Sequence, residues 1–262
     1  MGGLFHKLRH PRRCYVVCTI PRSGSNLLTD GLHATRRAGR PKQFFLRTSV
    51  PHFAALHRLT PAANFGAYIR DIAKATATSN EVFGFKLMSW YLDDFLGRLR
   101  NTGAFGGADT TDTSDLDLLQ NAFQRLQFVR IVRRNKLRQA LSKARAVHTN
   151  LWKVQEGKSA QRQPRFDANL IEQCLKESEQ QEKIWDDFFQ RIGIQPFRVE
   201  YEKLSQDYEG TIRSVLDFLN ISLPRGARIG PPITVRQSDE ISRVWEERFL
   251  AERPSAYSPA AG

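Results

Sequence analysis

Four short runs of apolar, β-branched and aromatic residues punctuate the chain, at 14–20, 82–88, 127–132 and 196–201, and each ends in a polar or glycine-containing break. Their density and length read as buried strands. Between and after them apolar positions fall at helical spacing. The first helix is expected over 26–38, with Leu27, Leu28, Leu32 and Thr35 on one face and Gly39 as its C-cap. Others are expected over 64–78 with Asn64 as cap, over 91–99, from Ser114 to Arg125, and from Asp167 to Arg191 closed by Gly193. The last two run over 208–219 and from a Ser238 or Asp239 cap to Glu252. Residues 46–63, interrupted by Pro51 and Pro61, and 156–165 read as irregular, and 101–109 reads as a flexible loop. Alternating strand and helix signals over 262 residues favour one α/β domain, 1–262, with mobile ends at 1–13 and 254–262.

The chain is organised around 15–28, YVVCTIPRSGSNLL, where a strand breaks into a tight loop and resumes as a helix. Such a turn suits an anion, because the N–H groups of a first helical turn have no intrahelical acceptor. Ser23, Ser25 and Asn26 add side-chain donors, Arg22 adds a fixed fork of positive charge, and Gly24 lets the backbone approach closely. The nucleoside-triphosphate loop G-x-x-x-x-G-K-[S/T] is not matched, since this loop contains no Gly-Lys pair.

The net charge of +13 changes this picture because it is concentrated. Residues 1–47 hold 10 Lys/Arg against Asp30, and residues 125–165 hold 12 against Glu156, which leaves the remaining sequence net negative. Each basic segment contains a strand running into a helix, and in a parallel sheet such helices open on one edge. Convergence on a compact, highly charged ligand is favoured over binding along a nucleic-acid duplex. Lys86 lies near the C-terminal end of its strand, at that same edge. The second basic constellation, 133–142, reads RRNKLRQALS and offers Arg133, Arg134 and Ser142. Phe44 and Phe45, after a proline turn, suit either core packing or an acceptor pocket. Cys14, Cys18 and Cys174 form neither an even disulfide framework nor a metal-ligand pattern, so buried free thiols are expected. No apolar run is long enough to span a bilayer, and a soluble cytoplasmic protein is expected, with peripheral membrane contact left open.

In order along the chain, IPRSGSNLL ending at Leu28, GRPKQFF ending at Phe45, GFKLM ending at Met88, RRNKLRQALS ending at Ser142, VEYEKL ending at Leu204, and RQSD ending at Asp239 with Trp245 resemble the bacterial trehalose-type carbohydrate sulfotransferases. The resemblance implies a P-loop-like α/β fold with a central, mostly parallel sheet flanked by helices. It also implies metal-free sulfuryl transfer from 3′-phosphoadenosine 5′-phosphosulfate (PAPS) to a hydroxyl of a carbohydrate or glycolipid acceptor, in a homodimer. It assigns Arg22, Ser23, Gly24, Ser25 and Asn26 to the 5′-phosphosulfate loop, and Arg133 and Ser142 to the 3′-phosphate, with Arg134 as a second candidate. It makes Arg22 and Lys86 catalytic through charge stabilisation, Arg236 and Gln237 a closure over the nucleotide, and Gln43, Phe44 and Phe45 acceptor contacts. One departure stands out: the family's general base is a glutamate where this chain has Gln43, and an amide cannot take a proton. Met88 occupies the position where other sulfotransferases place a catalytic histidine. Either another group such as His52, Asp93, Asp94 or His148 serves, or electrostatics alone drives the reaction, or the chain is a non-catalytic PAPS- or polyanion-binding pseudoenzyme.

Overall fold

A computed structural model describes residues 11–59, 64–105, 113–152, 163–232, 240–255 and 257. Four strands, β1 (Arg13–Thr19), β2 (Val82–Met88), β3 (Gln127–Val132) and β4 (Phe197–Glu200), form one parallel sheet in the order β2-β1-β3-β4. The strand carrying the organising loop is therefore central. Every strand ends at the same edge, and every connection crosses over through helix, as parallel pairing requires.

Side-chain alternation along β1 separates the two cores. Cys14, Val16 and Cys18 face one side with Phe83, Phe85 and Leu87 of β2, and Tyr15 and Val17 face the other with Val129, Ile131 and Val199. The first side is covered by α3 (Phe65–Thr76), α4 (Leu92–Asn101), α5 (Asp115–Ala122) and Trp185, Phe188 and Phe189 of α7 (Ala168–Ile192). The second is covered by α1 (Ser25–Ala34), α8 (Tyr201–Gln206) and α9 (Tyr208–Phe218). A third cluster joins α7 to α6 (Lys136–Thr149) and α10 (Glu240–Glu252), where Trp245 and Phe249 are buried. The three cysteines are buried free thiols, and burial pushes the Cys14 thiol up to about 12, so it stays protonated. Among the described residues no helix is long and apolar enough to cross a membrane.

The chemistry of the caps matches the sequence. Asn64, Ser114 and Asp167 each accept a hydrogen bond from a backbone N–H in the first turn of the following helix. Three boundaries differ from expectation. The first helix ends at Ala34 instead of 38, with Thr35 Oγ1 donating to Leu32 O at 2.6 Å and Arg36 taking a left-handed φ of 55°. Gly39 is therefore not its C-cap but a close backbone approach to β2, where a Cβ would come within 2.9 Å of Gly84 N. Residues 46–63 are not irregular throughout: a 3-10 turn, Arg47–Ser49, leads into α2 (Val50–Leu56), and Pro51 sits in its first turn, where its missing N–H costs nothing. The helix over 114–125 stops at Ala122, because Phe123 turns extended and its ring enters the aromatic core. The 156–165 loop and the expected Ser238 or Asp239 cap lie wholly or mostly outside the described residues.

Tyr15 is the tightest piece of the β1–β2 contact. Its hydroxyl donates to Ala38 O at 2.6 Å, and its ring lies over Gly84, its partner across the ladder, where an added Cβ would meet the ring at 2.3 Å. Gly84→Ala is expected to destabilise the fold by about 2–3 kcal/mol through overpacking. Gly97→Ala, mid-helix in α4 with nothing within 4 Å of the new methyl, is expected to stabilise it by about 0.5–1 kcal/mol. Urea unfolding of both variants measures the difference, and equal midpoints would contradict this packing.

Candidate functional site

The loop from β1 to α1 is braced from inside. Thr19 Oγ1 and Ser23 Oγ lie 2.6 Å apart, and Thr19 Oγ1 also donates to Ile20 O at 3.1 Å, so Ser23 is the donor to Thr19. Ser23 is fully buried. Its side chain thus holds the loop's shape, and only its backbone remains for a ligand. From below, Trp185 Nε1 donates to Thr19 O at 2.9 Å and Gln139 Nε2 of α6 donates to Pro21 O at 2.8 Å. Gly24, at φ +88°, precedes α1, and a Cβ there would strike the Tyr201 ring at 2.2 Å. The first intrahelical bond runs from Leu28 N to Gly24 O at 3.2 Å, so the N–H groups of Ser25, Asn26 and Leu27 precede any helical acceptor. They form the anion-seeking end of a ten-residue helix.

Lys86 reaches this helix end from the neighbouring strand. It is 5% exposed, and its Nζ donates to Asn26 Oδ1 at 2.7 Å. That bond uses only the oxygen of the Asn26 amide, so its NH₂ group keeps its donors for a ligand. Beside it, Lys86 N donates to Lys42 O at 2.9 Å, and Lys42 bridges to Phe85, which places Gln43 next to Lys86 along the β2 edge. Lys42 Nζ turns toward Asp30 Oδ1 of α1, 3.3 Å away. Gln43 is half-buried.

Arg22 joins the two basic segments. It is a non-glycine residue at φ 62°, and its side chain leaves the helix end and crosses to α6. Its Nε donates to Ser142 Oγ at 2.8 Å and its Nη1 to Trp152 O at 2.6 Å. Arg133 Nη1 donates to Arg22 O at 3.3 Å, and its guanidinium carbon stands 4.6 Å from the Tyr201 ring centroid. Burial above all, then the Arg133 charge, pushes the Arg22 guanidinium down to about 10, partly offset by Tyr201, with Arg145 lowering it further. It remains a cation at neutral pH. Ser142 Oγ accepts from Arg22, so its own O–H is left to donate.

Arg134 diverges from its neighbour. Its Nε lies 3.4 Å from Glu200 Oε2, while its backbone N–H and that of Asn135 both donate to the Glu202 carboxylate at 3.1 Å. Burial works against ionisation of Glu202, but these two N–H groups hold its carboxyl below the usual range. The loop between β3 and α6 is thereby pinned to the start of α8. Phe44 and Phe45 are 1% and 0% exposed and pack with Phe83, Phe85 and Phe123, so their rings belong to the core, and of the three residues 43–45 only Gln43 is partly accessible. Arg236 and Gln237 lie outside the described residues.

The four alternative bases are scattered. Burial raises the Asp94 carboxyl, but hydrogen bonds and charge from Arg47 and Arg98 outweigh it and hold the group low, which makes it a weak base. Asp93 is exposed on α4, His52 packs edge-on against Phe53, and His148 Nδ1 meets Arg165 O at 2.9 Å. Tyr201, Gln139 and the Trp152 carbonyl are contributions that the residue types alone did not reveal. Trp90 and Trp152 are each about half exposed.

Comparison with known proteins addresses the family of the chain. Residues 14–252 match the family model described as Stf0 sulphotransferase. A trehalose 2-sulfotransferase of Mycobacterium tuberculosis is 27% identical over 264 residues, covering 92% of this chain and 96% of that protein. A trehalose 2-sulfotransferase of Mycolicibacterium smegmatis is 27% identical over 269 residues, covering 92% and 95%. Among solved structures, the sulfotransferase domain from the curacin biosynthetic pathway aligns over 97% of this chain and 94% of that one, with 14% identity and a TM-score of 0.47. Since the family model spans the sheet, the β1–α1 loop and the α6 constellation alike, the chain belongs to the Stf0 sulphotransferase family.

Proposed function

We propose that this sulfotransferase uses PAPS as donor and a hydroxyl of a carbohydrate or glycolipid as acceptor. The observation that carries the donor assignment is the pairing of two anion sites across one loop: the α1 N-terminus with Lys86 on one side, and Arg22, Arg133 and Ser142 on the other. A nucleotide with anions at both its 5′ and 3′ ends fits that donor set, and a monophosphate would leave one half unused. The printed names of the two mycobacterial relatives support a carbohydrate acceptor and make trehalose the first to test. The homodimer that the resemblance implies and the cytoplasmic location expected from the sequence belong to the same reading.

PAPS supplies an activated sulfuryl group whose leaving oxygen belongs to the 5′-phosphate. The chain's own residues meet the charge that develops there. N–H groups of Ser25, Asn26 and Leu27 hold the 5′-phosphate at the helix end, and Lys86, already oriented by Asn26, neutralises charge on the oxygens in flight. Arg22 contributes its backbone to that loop and its guanidinium to the 3′-phosphate, so one residue links both ends of the nucleotide. Gln43 lies beside Lys86, at the place from which an acceptor hydroxyl would approach, and its amide orients that hydroxyl without removing the proton. Transfer of radiolabelled sulfuryl from PAPS to trehalose tests the whole reading.

Three outcomes are expected. Arg22→Ala, Arg133→Ala and Ser142→Ala should each weaken binding of 3′,5′-ADP (PAP) by about tenfold or more, while Arg165→Ala changes it by less than about twofold; equal affinities by calorimetry would remove the site assignment. Lys86→Ala should lower kcat by about 100-fold with a smaller effect on PAP affinity, since its charge acts mainly on the transferring group. Gln43→Glu, which restores a carboxylate beside Lys86, should raise sulfated product by about tenfold or more. An unchanged yield would mean that the acceptor proton leaves by another route.

A further inference from the structure

The turn that carries Gln43 is held by its carbonyl groups. Lys42 O accepts from Lys86 N at 2.9 Å, and Leu46 O accepts from Ser49 N at 2.8 Å. Between them, Phe44 O accepts from the Tyr68 hydroxyl of α3 at 2.9 Å and Phe45 O accepts from the Arg98 guanidinium of α4. Tyr68 is 2% exposed, and its ring stacks on Phe65 and meets Phe45 edge-on. Arg98 is half-buried, with its guanidinium carbon 4.2 Å from the Phe65 ring centroid and its Nε 3.0 Å from Asp94 Oδ2. Asp94 accepts in turn from Arg47 Nε at 2.7 Å, so the bracing returns to the chain two residues past Phe45. Two polar side chains from different helices thus hold adjacent peptides of one turn. Burial of the Phe44 and Phe45 rings is non-directional and leaves the peptides between them free to tilt, whereas bonds of defined geometry do not.

We propose that Tyr68 and Arg98 are positioning residues for the acceptor: by fixing the two peptides that follow Gln43, they set the place of its amide beside Lys86. The inference rests on the reading above that Gln43 orients the acceptor hydroxyl. A hydroxyl is oriented productively only within a fraction of an ångström, and that precision comes from the groups that lock the contacting residue in place. Lys86 N holds the turn on one side of Gln43, and Tyr68 and Arg98 hold it on the other. Asp94 takes a part other than that of a base, since its carboxylate orients the Arg98 fork. These bonds are made to the turn and not to the β1–α1 loop or to α6, so their loss is expected to spare the donor.

The test combines steady-state sulfation of trehalose from PAPS with calorimetric titration of PAP. It compares the full chain with Tyr68→Phe, Arg98→Lys and Gln43→Ala, and with each of the first two combined with Gln43→Ala. Tyr68→Phe keeps the ring and removes only the hydroxyl; it should lower kcat/KM for trehalose by about tenfold while PAP affinity shifts by less than about twofold. Arg98→Lys, which keeps the cation and loses the fork, should act in the same sense. Once Gln43→Ala is present, either change should cost less than about a further twofold, because a residue that acts through Gln43 has nothing left to position. Circular dichroism shows whether each variant is folded, and either folded variant decides alone. Suppose Gln43→Ala lowers kcat/KM. If the Tyr68 and Arg98 variants then leave it within about twofold, or their losses multiply with that of Gln43→Ala, or PAP affinity falls by the same factor, the role given to Tyr68 and Arg98 is overturned and the reading of Gln43 stands. If Gln43→Ala itself changes nothing, or wild type transfers nothing to trehalose, the acceptor reading falls and the inference falls with it.

Discussion

The proposed donor site depends on where one half-buried arginine points. Arg22 adopts a left-handed backbone conformation that costs a non-glycine residue roughly 1–2 kcal/mol, and its side chain is thereby directed across the sheet edge toward α6. The bonds to Ser142 and to the Trp152 carbonyl, with Arg133 closing on the Arg22 carbonyl, offset that cost. Without the crossing, the turns after β1 and β3 would be two separate anion sites. With it, on the proposed reading, they form one site with a cation at each end. Gln139, fully buried, fixes the peptide just before Arg22 through Pro21 O, and so sets the direction of the crossing from below.

The sheet order makes this possible. In β2-β1-β3-β4 the organising strand has Lys86 on one flank and the arginine-bearing turn on the other, so three chain segments remote in sequence meet at one edge. The fourth strand contributes through Tyr201, whose ring fills the space a side chain at Gly24 would occupy and also lies against Arg133. Glu202, next in sequence, holds the turn before α6 by its two backbone N–H groups. The supports of the β1–α1 loop thus come from two places in the chain, Gln139 and Trp185 from the β3–β4 crossover and Tyr201 from the helix after β4.

Much of this could be read from the residues before any fold was known. Strands 82–88 and 127–132 coincide with β2 and β3 because dense apolar runs bounded by turn residues have few other stable forms. The caps at Asn64 and Ser114 are legible because a short polar side chain before a periodic segment satisfies a local need. Strand-helix order alone puts Lys86, Arg22 and Arg133 at one edge, while Ser142, two to three turns along α6, joins them only through the resemblance. What could not be read were matters decided by tertiary contact. The 26–38 periodicity continues past the point where Thr35 and Arg36 end the helix, and Pro51 reads as a break although it opens one. Nothing local distinguishes Phe44 and Phe45 as core from the same pair as pocket; packing against Phe83, Phe85 and Phe123 decides it. Tyr201 acts through Gly24 and Arg133, both remote in sequence, and no motif spacing announces that.

The most direct test of the central claim, that one cleft holds a nucleotide by anions at both ends, is a crystal structure of the protein with PAP. The account predicts the 5′-phosphate at the N–H groups of Ser25, Asn26 and Leu27 within reach of Lys86, and the 3′-phosphate between Arg22, Arg133 and Ser142. A nucleotide bound in the reverse sense, or with its 3′-phosphate in solvent away from α6, would contradict it.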